Sequence, residues 1–322
     1  MRVGLAVPQI GRFADPAATR AVAVEAEAAG FSALWALDRL LAPVNPRTPY
    51  PASPDGELPD EQYRVLDPIG VLTLAAAVTE RIRVGTSVLV GPWYPPVLLA
   101  RALTTLDQIS AGRLTVGLGN GWSADEYAAV GQPQQHLGAR SEELLDVLAA
   151  IWTEDPVNYW GKWVTLAPST VQPKPVQRSG PPILLAAYTP GALDRVARRG
   201  DGWMPAGVPL DALADMWTTV RGMAAQYGRD PDRLELVVRA NVKLTDRPLG
   251  PDRPPFWGRA DQIADDVDAT RRLGADEIVV DLQGCPVDAT GYCSLARELV
   301  EPARERVEPV ALPVGGPVPP RA

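Results

Sequence analysis

The chain offers few residues that could do chemistry unaided. It has one histidine, His136, and two cysteines, Cys285 and Cys293, in 322 residues. A Ser-His-Asp or Cys-His triad could be built around that one histidine only, and a zinc site would have to rely on carboxylates. His136 follows "GQPQQ" and reads as a solvated loop residue. The cysteines stand eight apart with no CxxC pair and no companion histidine, which fits free thiols in a cytoplasmic chain, with a lone structural disulfide as the lesser alternative. What remains is another kind of set: Asp38-Arg39, Thr86-Ser87-Val88, Leu118-Gly119-Asn120 and Tyr188-Thr189, with Trp35, Trp93, Tyr94, Trp122 and Trp203. It is poor in acids, bases and nucleophiles and rich in glycine, small hydroxyls, amides and indoles. Such a lining suits a planar aromatic cofactor that carries the difficult step while the protein orients it.

These residues are scattered, so the fold must gather them. Short β-rich runs near 2–8, 33–36, 82–89, 113–118, 182–186, 201–204, 234–241 and 276–281 alternate with helical patterns near 17–29, 67–79, 95–109, 141–152, 190–199, 210–227, 260–273 and 289–299. Val22, Ala26, Ala29 and Phe31 follow helical spacing, and Gly30 sits where a helix-ending glycine belongs. Strict alternation predicts a parallel sheet covered by helices, and eight units in this length predict a closed (β/α)8 TIM barrel. Its site would lie at the strand carboxyl ends, where the candidate residues fall, together with Pro8, Gln9 and Asn241.

Two insertions interrupt the alternation. Residues 40–63 carry six prolines directly after the second strand, so they cannot be a regular helix; they are expected to form a lid or substrate wall. "NYWGKWVTL" (158–166) places β-formers around a Gly-Lys turn, predicting a hairpin before the fifth strand. One domain is expected over 1–307, with a loose Pro/Gly-rich tail at 308–322. A net charge of −8 and the lack of basic clusters argue against nucleic acid, and no apolar run is long enough to span a membrane. The partner expected is a small molecule.

One strand is odd on packing grounds. "RIRVGTSVLVGPWYPP" (81–96) begins as a buried strand, yet holds Gly85, Thr86 and Ser87 where bulk is expected and ends in a rigid aromatic lip. The "GLGNGW" at 117–122 departs from GxGxxG, because Trp122 stands at the third glycine, and is weak as a dinucleotide fingerprint. Taken singly, Asp38 is equally a loop cap and Trp35 equally core.

Taken together, "FSALWALDR", the run from Arg81 to Trp122 and "QPKPVQRSGPPILLAAYTPGALDRVARRGDGW" resemble the bacterial luciferase-like superfamily. The likeness is nearest to its actinobacterial branch that uses coenzyme F420, a 5-deazaflavin. The resemblance implies a TIM barrel with the cofactor ring at the carboxyl face, a cytoplasmic homodimer, and a cis peptide at Ser87–Val88 backing the ring. It assigns Asp38 to the reactive edge of the ring and Leu118, Gly119 and Asn120 to its pyrimidine side. Tyr188, Thr189, Gly191 and Ala192 take the phosphate grip, although many relatives have a glycine pair where this chain has Tyr188-Thr189.

The sequence also departs from relatives of defined chemistry. Sugar-phosphate dehydrogenases of the branch have histidine after the aspartate and glutamate after the strand-four glycines; here Arg39 and Asn120 stand there. The expected activity is hydride transfer from reduced F420 to an apolar organic substrate at a C=C or C=N bond, with Asp38, Arg39 and Asn120 as catalytic candidates. Arg39 would bind an anionic group or orient Asp38. Trp35, Trp93, Tyr94, Trp122 and Trp203 would line the substrate pocket. The alternatives are an FMN-dependent monooxygenase of the same fold and a non-catalytic cofactor-binding protein.

Overall fold

The apolar runs form eight parallel strands, here β1 (Arg2–Ala6), β2 (Ala33–Ala36), β3 (Arg83–Thr86), β4 (Leu114–Gly119), β5 (Ile183–Leu185), β6 (Gly202–Trp203), β7 (Glu235–Asn241) and β8 (Glu277–Asp281). Each pairs in parallel with the next, and β8 pairs with β1, so the sheet closes. Eight helices cover it: α1 (Pro16–Ala28), α2 (Pro68–Ala77), α3 (Pro96–Ile109), α4 (Leu137–Thr153), α5 (Pro190–Arg199), α6 (Leu210–Gln226), α7 (Ala260–Arg272) and α8 (Tyr292–Glu305). This computed structural model describes residues 1–53 and 55–305, and the 308–322 tail lies outside them.

Local chemistry sets several element ends. Asp15 and Asp67 cap α1 and α2 through the N–H groups of Ala17 and Gly70, each followed by a proline at the first helical position. Gly30, at φ 79°, ends α1, with the Phe31 N–H returning to the Ala26 carbonyl. Among the described residues no helix is long and apolar enough to cross a membrane, and both cysteines are buried free thiols.

Strand alternation sorts side chains into two cores. Leu34, Val84, Val116, Leu236 and Ile278 face the helices. Ala33, Trp35, Leu184, Met204, Val237 and Val279 fill the barrel. At the amino end of the barrel, buried Glu277 accepts from Trp35 Nε1 at 2.9 Å and from Arg2 Nε at 3.2 Å, and pairs with Arg83. At the carboxyl end lie Arg239, Asp281, Asn241 and Ser87.

The odd strand is explained residue by residue. It runs only to Thr86, short of the predicted 89. The next peptide, Ser87–Val88, is cis, and Leu89–Val90 then pairs with the end of β4. Gly85 is small because the Trp35 ring lies across it: a Cβ there would sit 2.5 Å from Cζ3. That space belongs to the core and not to a cofactor. Thr86 Oγ1 donates to the Gly117 carbonyl and accepts from the Gly117 N–H, both at 2.8 Å, replacing the ladder where β3 and β4 part.

Both insertions are present. The hairpin pairs Val157–Trp160 with Thr165–Ser169, and buried Glu143 accepts the N–H groups of Lys162, Trp163 and Val164 in its turn. The described residues of segment 40–63 contain one 3-10 turn, Asp60–Tyr63, and are otherwise irregular. Two further additions carry no clear sequence signal: the short helix Ala124–Ala129, and the strand pair Lys243–Leu244 with Trp257–Gly258 after β7.

Candidate functional site at the carboxyl face

Asp38 leaves the end of β2 half-buried. Its Oδ2 accepts from the Val90 N–H at 3.0 Å and the Tyr94 hydroxyl at 2.9 Å, while Oδ1 is buried without a partner. Burial pushes the carboxyl up from 3.8 to about 6; the two hydrogen bonds oppose this, and nearby Asp67 and Glu126 add to it. Burial, reinforced by Asp38 itself, raises the Tyr94 phenol, so it stays a donor to the carboxylate.

Arg39, the next residue, is buried in an ion pair with Glu126, whose Oε2 lies 3.7 Å from Nη1. Its guanidinium carbon lies 5.2 Å from the Trp122 ring centroid and 6.0 Å from that of Tyr50, and the two rings are 5.4 Å apart. Segment 40–63 delivers Tyr50 here because it is tied to the Ala124–Ala129 helix. Arg47 holds Asp125 at 2.6 Å, and Glu126 Oε1 accepts from Leu40 N–H at 2.8 Å. These contacts dock the segment on that short helix.

Near this acid, the ends of β4 and β5 open onto a shallow concavity. Leu118, Gly119, Asn120 and Ala192 of the expected set line it, with Ala186 and Ser141. Its floor is small: a Cβ on Gly119 would meet Val88 Cγ2 at 2.7 Å and Ala186 Cβ at 3.4 Å. Asn120 is fixed by Ser141, whose hydroxyl donates to Oδ1 at 2.8 Å. Thr189 is the N-cap of α5 and makes no side-chain capping bond; Gly191 follows with open space where a Cβ would be. Tyr188 is exposed, and its hydroxyl accepts from the Ala206 N–H at 3.1 Å, bridging the loops after β5 and β6.

Three tryptophans expected on the pocket wall are placed elsewhere. Trp35 is inside the barrel on Glu277. Trp203 faces the helices, donating to the Ala187 carbonyl at 3.0 Å and stacking on Trp217. Trp93 is buried against Tyr127. Trp35 and Trp203 sit within strands, where alternation turns one side chain into the barrel and the other toward the helices, and Trp93 lies in the 3-10 turn Gly91–Trp93. His136 is exposed near Trp163 of the hairpin, away from Asp38.

The structure adds residues that sequence reading passed over. Buried Arg239 pairs with Asp281, donates Nε to Asn241 Oδ1 at 2.9 Å, and reaches Ser87 Oγ and its carbonyl, the latter at 3.3 Å. Asp281 Oδ1 in turn accepts from Gln283, whose Oε1 takes the N–H groups of Gln9 and Ile10. A charged residue inside an apolar run, as in "LVVRAN" and "EIVVD", was the available signal.

Fold and site together define a (β/α)8 barrel with its candidate site at the carboxyl face. Residues 2–248 match the family model described as luciferase-like monooxygenase. Over 293 residues the chain is 35% identical to the uncharacterized protein Rv0953c of Mycobacterium tuberculosis, a match spanning 85% of this chain and 98% of that one. A shorter match, 33% over 155 residues, covers 47% of this chain and 42% of the FMNH(2)-dependent dimethylsulfone monooxygenase of Pseudomonas putida. The fold superposes with TM-score 0.74 on an F420-dependent secondary alcohol dehydrogenase solved with an F420–acetone adduct, at 16% identity over 94% of this chain and 98% of that one. The chain belongs to the luciferase-like monooxygenase family.

Proposed function

We propose that the protein is an oxidoreductase that transfers a hydride from reduced coenzyme F420 to a small organic acceptor at a C=C or C=N bond. Asp38 carries this reading: a half-buried carboxyl, lifted to about 6 and with one oxygen unpartnered, bonds the N–H of Val90, the residue before Gly91 of the concavity's lining. The surrounding residues fit a flat ring with a charged tail. Gly119 and Ala186 line the concavity with little or no side chain, and Asn120 offers an oriented amide. Thr189 and the N-terminus of α5 suit a phosphate.

The residues that would hold a reduced deazaflavin are Gly119, Asn120, Ala186 and Thr189, and the cofactor would supply the hydride for one carbon of the acceptor. The chain's own groups do the rest. Asp38, in its protonated form, gives its proton to the neighbouring atom of the reduced bond and recovers it from water. Tyr94 and the Val90 N–H fix the carboxyl rotamer, and Tyr50 and Trp122 narrow the mouth against solvent. The likeness to an FMNH(2)-dependent monooxygenase favours a second reading, oxygenation with FMN. Anaerobic fluorescence titration with F420 and with FMN, followed by turnover of the bound reduced cofactor, tests the choice. Tighter F420 binding and oxygen-independent turnover support hydride transfer. Stoichiometric O2 uptake with FMNH2 overturns it, and binding without turnover leaves a cofactor carrier.

A further inference from the structure

Three prolines stand in the stretch 91–96, at Pro92, Pro95 and Pro96, and restrain the backbone on both sides of Tyr94. The stretch opens with the 3-10 turn Gly91–Trp93, which the Tyr94 N–H closes by donating to the Gly91 carbonyl at 3.2 Å. Arg140 Nη2 donates to the Pro92 carbonyl at 3.2 Å, and Trp93 is buried against Tyr127. This stiff support carries one side-chain hydroxyl, that of Tyr94. Among the described residues that hydroxyl has a single partner, Asp38 Oδ2.

The two oxygens of Asp38 are therefore unlike. A carboxyl oxygen has two lone pairs to offer. Those of Oδ2 are both taken, by the Val90 N–H and the Tyr94 hydroxyl, whereas Oδ1 is buried and accepts nothing. We infer that Tyr94 is a positioning residue, which reserves Oδ2 as the carbonyl oxygen and so confines the dissociable proton of Asp38 to Oδ1. A proton on Oδ2 would have to displace one of the two donors. The Val90 N–H is fixed by the backbone, and a displaced Tyr94 hydroxyl would lose its one acceptor. The charged groups nearby act on the carboxyl as a whole. Asp67, the N-cap of α2, and Glu126, on the short helix, favour its protonated form, while Arg39 pairs with Glu126. The Tyr94 bond opposes them by steadying the carboxylate.

Infrared difference spectroscopy of the cofactor-free protein tests this. The pH is stepped through the titration of Asp38, and Asp38→Asn identifies the band. With the proton on Oδ1, the C=O group ends in Oδ2, and two hydrogen bonds weaken it. Its stretch should then lie well below that of a free carboxylic acid. Tyr94→Phe removes one of those bonds, so the band should move to higher wavenumber. The titration midpoint should rise by about one pH unit, because the carboxylate loses a donor. A parent band already at the free-acid position, a band unmoved in Tyr94→Phe, a midpoint that stays or falls, or no band lost in Asp38→Asn would each overturn the inference. The parent band position decides the matter even where Tyr94→Phe does not fold. Only the destination of this proton rests on the hydride-transfer reading. The spectra involve no cofactor or acceptor, so their failure is distinct from a failed F420 titration.

Discussion

Asp38→Asn probes the proposed chemistry most directly, because the amide keeps the shape and loses the proton. Asn can still accept from the Val90 N–H and the Tyr94 hydroxyl at the positions Oδ2 now uses, 3.0 and 2.9 Å away. A lost general acid slows the chemical step by about 10²–10⁴-fold. Cofactor affinity should stay within about tenfold, or about 1.4 kcal/mol. The parent kcat should fall as pH rises through about 6, where Asp38 gives up its proton, and the variant should lack that limb.

Stability supplies an independent readout of the same group. With Asp38 at about 6 in the fold and at its ordinary 3.8 when unfolded, the folded state holds a proton the unfolded state has lost between those pH values. Stability therefore declines as pH rises from about 3.8 to about 6 and stays lower above, by up to about 3 kcal/mol. Asn carries no such penalty, so Asp38→Asn should gain stability at pH 8 and little at pH 4. Urea unfolding at the two pH values measures it. A variant with full activity, or a stability difference that ignores pH, would refute the account of Asp38.

Gly85→Ala should destabilise the barrel by about 1–3 kcal/mol, because its methyl would stand 2.5 Å from a Trp35 ring that Glu277 holds in place; urea unfolding should show a lower midpoint at unchanged slope. Replacing residues 43–56 with a short Gly/Ser linker removes Tyr50 and the Arg47–Asp125 pair, and should raise KM for the acceptor far more than Kd for the cofactor. Equal loss of both would deny the segment its role as substrate wall.

The alternation of strands and helices was legible because burial imposes it locally: period two inside a strand, 3.6 along a helix, and a capping residue at the join. Asp15-Pro16, Asp67-Pro68 and Gly30 all mark helix ends within a few residues of where they fall. The resemblance likewise rested on contiguous motifs and pointed to the cis peptide the structure contains. What sequence did not yield is which way a side chain faces. Trp35 and Gly85 lie fifty positions apart, yet one is small because the other is large.

The same limit hid the polar frame of the site. Arg239 finds Asp281 forty-two residues on and Ser87 on the far side of the chain, so neither partner shows in a local window. Its placement gives the opening residues of the lip a second meaning. Ser87 is a small polar residue in a strand because its hydroxyl and carbonyl are anchored to a guanidinium that Asp281 neutralises and Asn241 steadies. The backbone that turns at Ser87–Val88 is thus held by side chains from β7 and β8, while Thr86 ties its other flank to β4. Both sides of the turn are fixed by the fold's own side chains, which is the rigidity that the proposed cofactor site requires of its backbone.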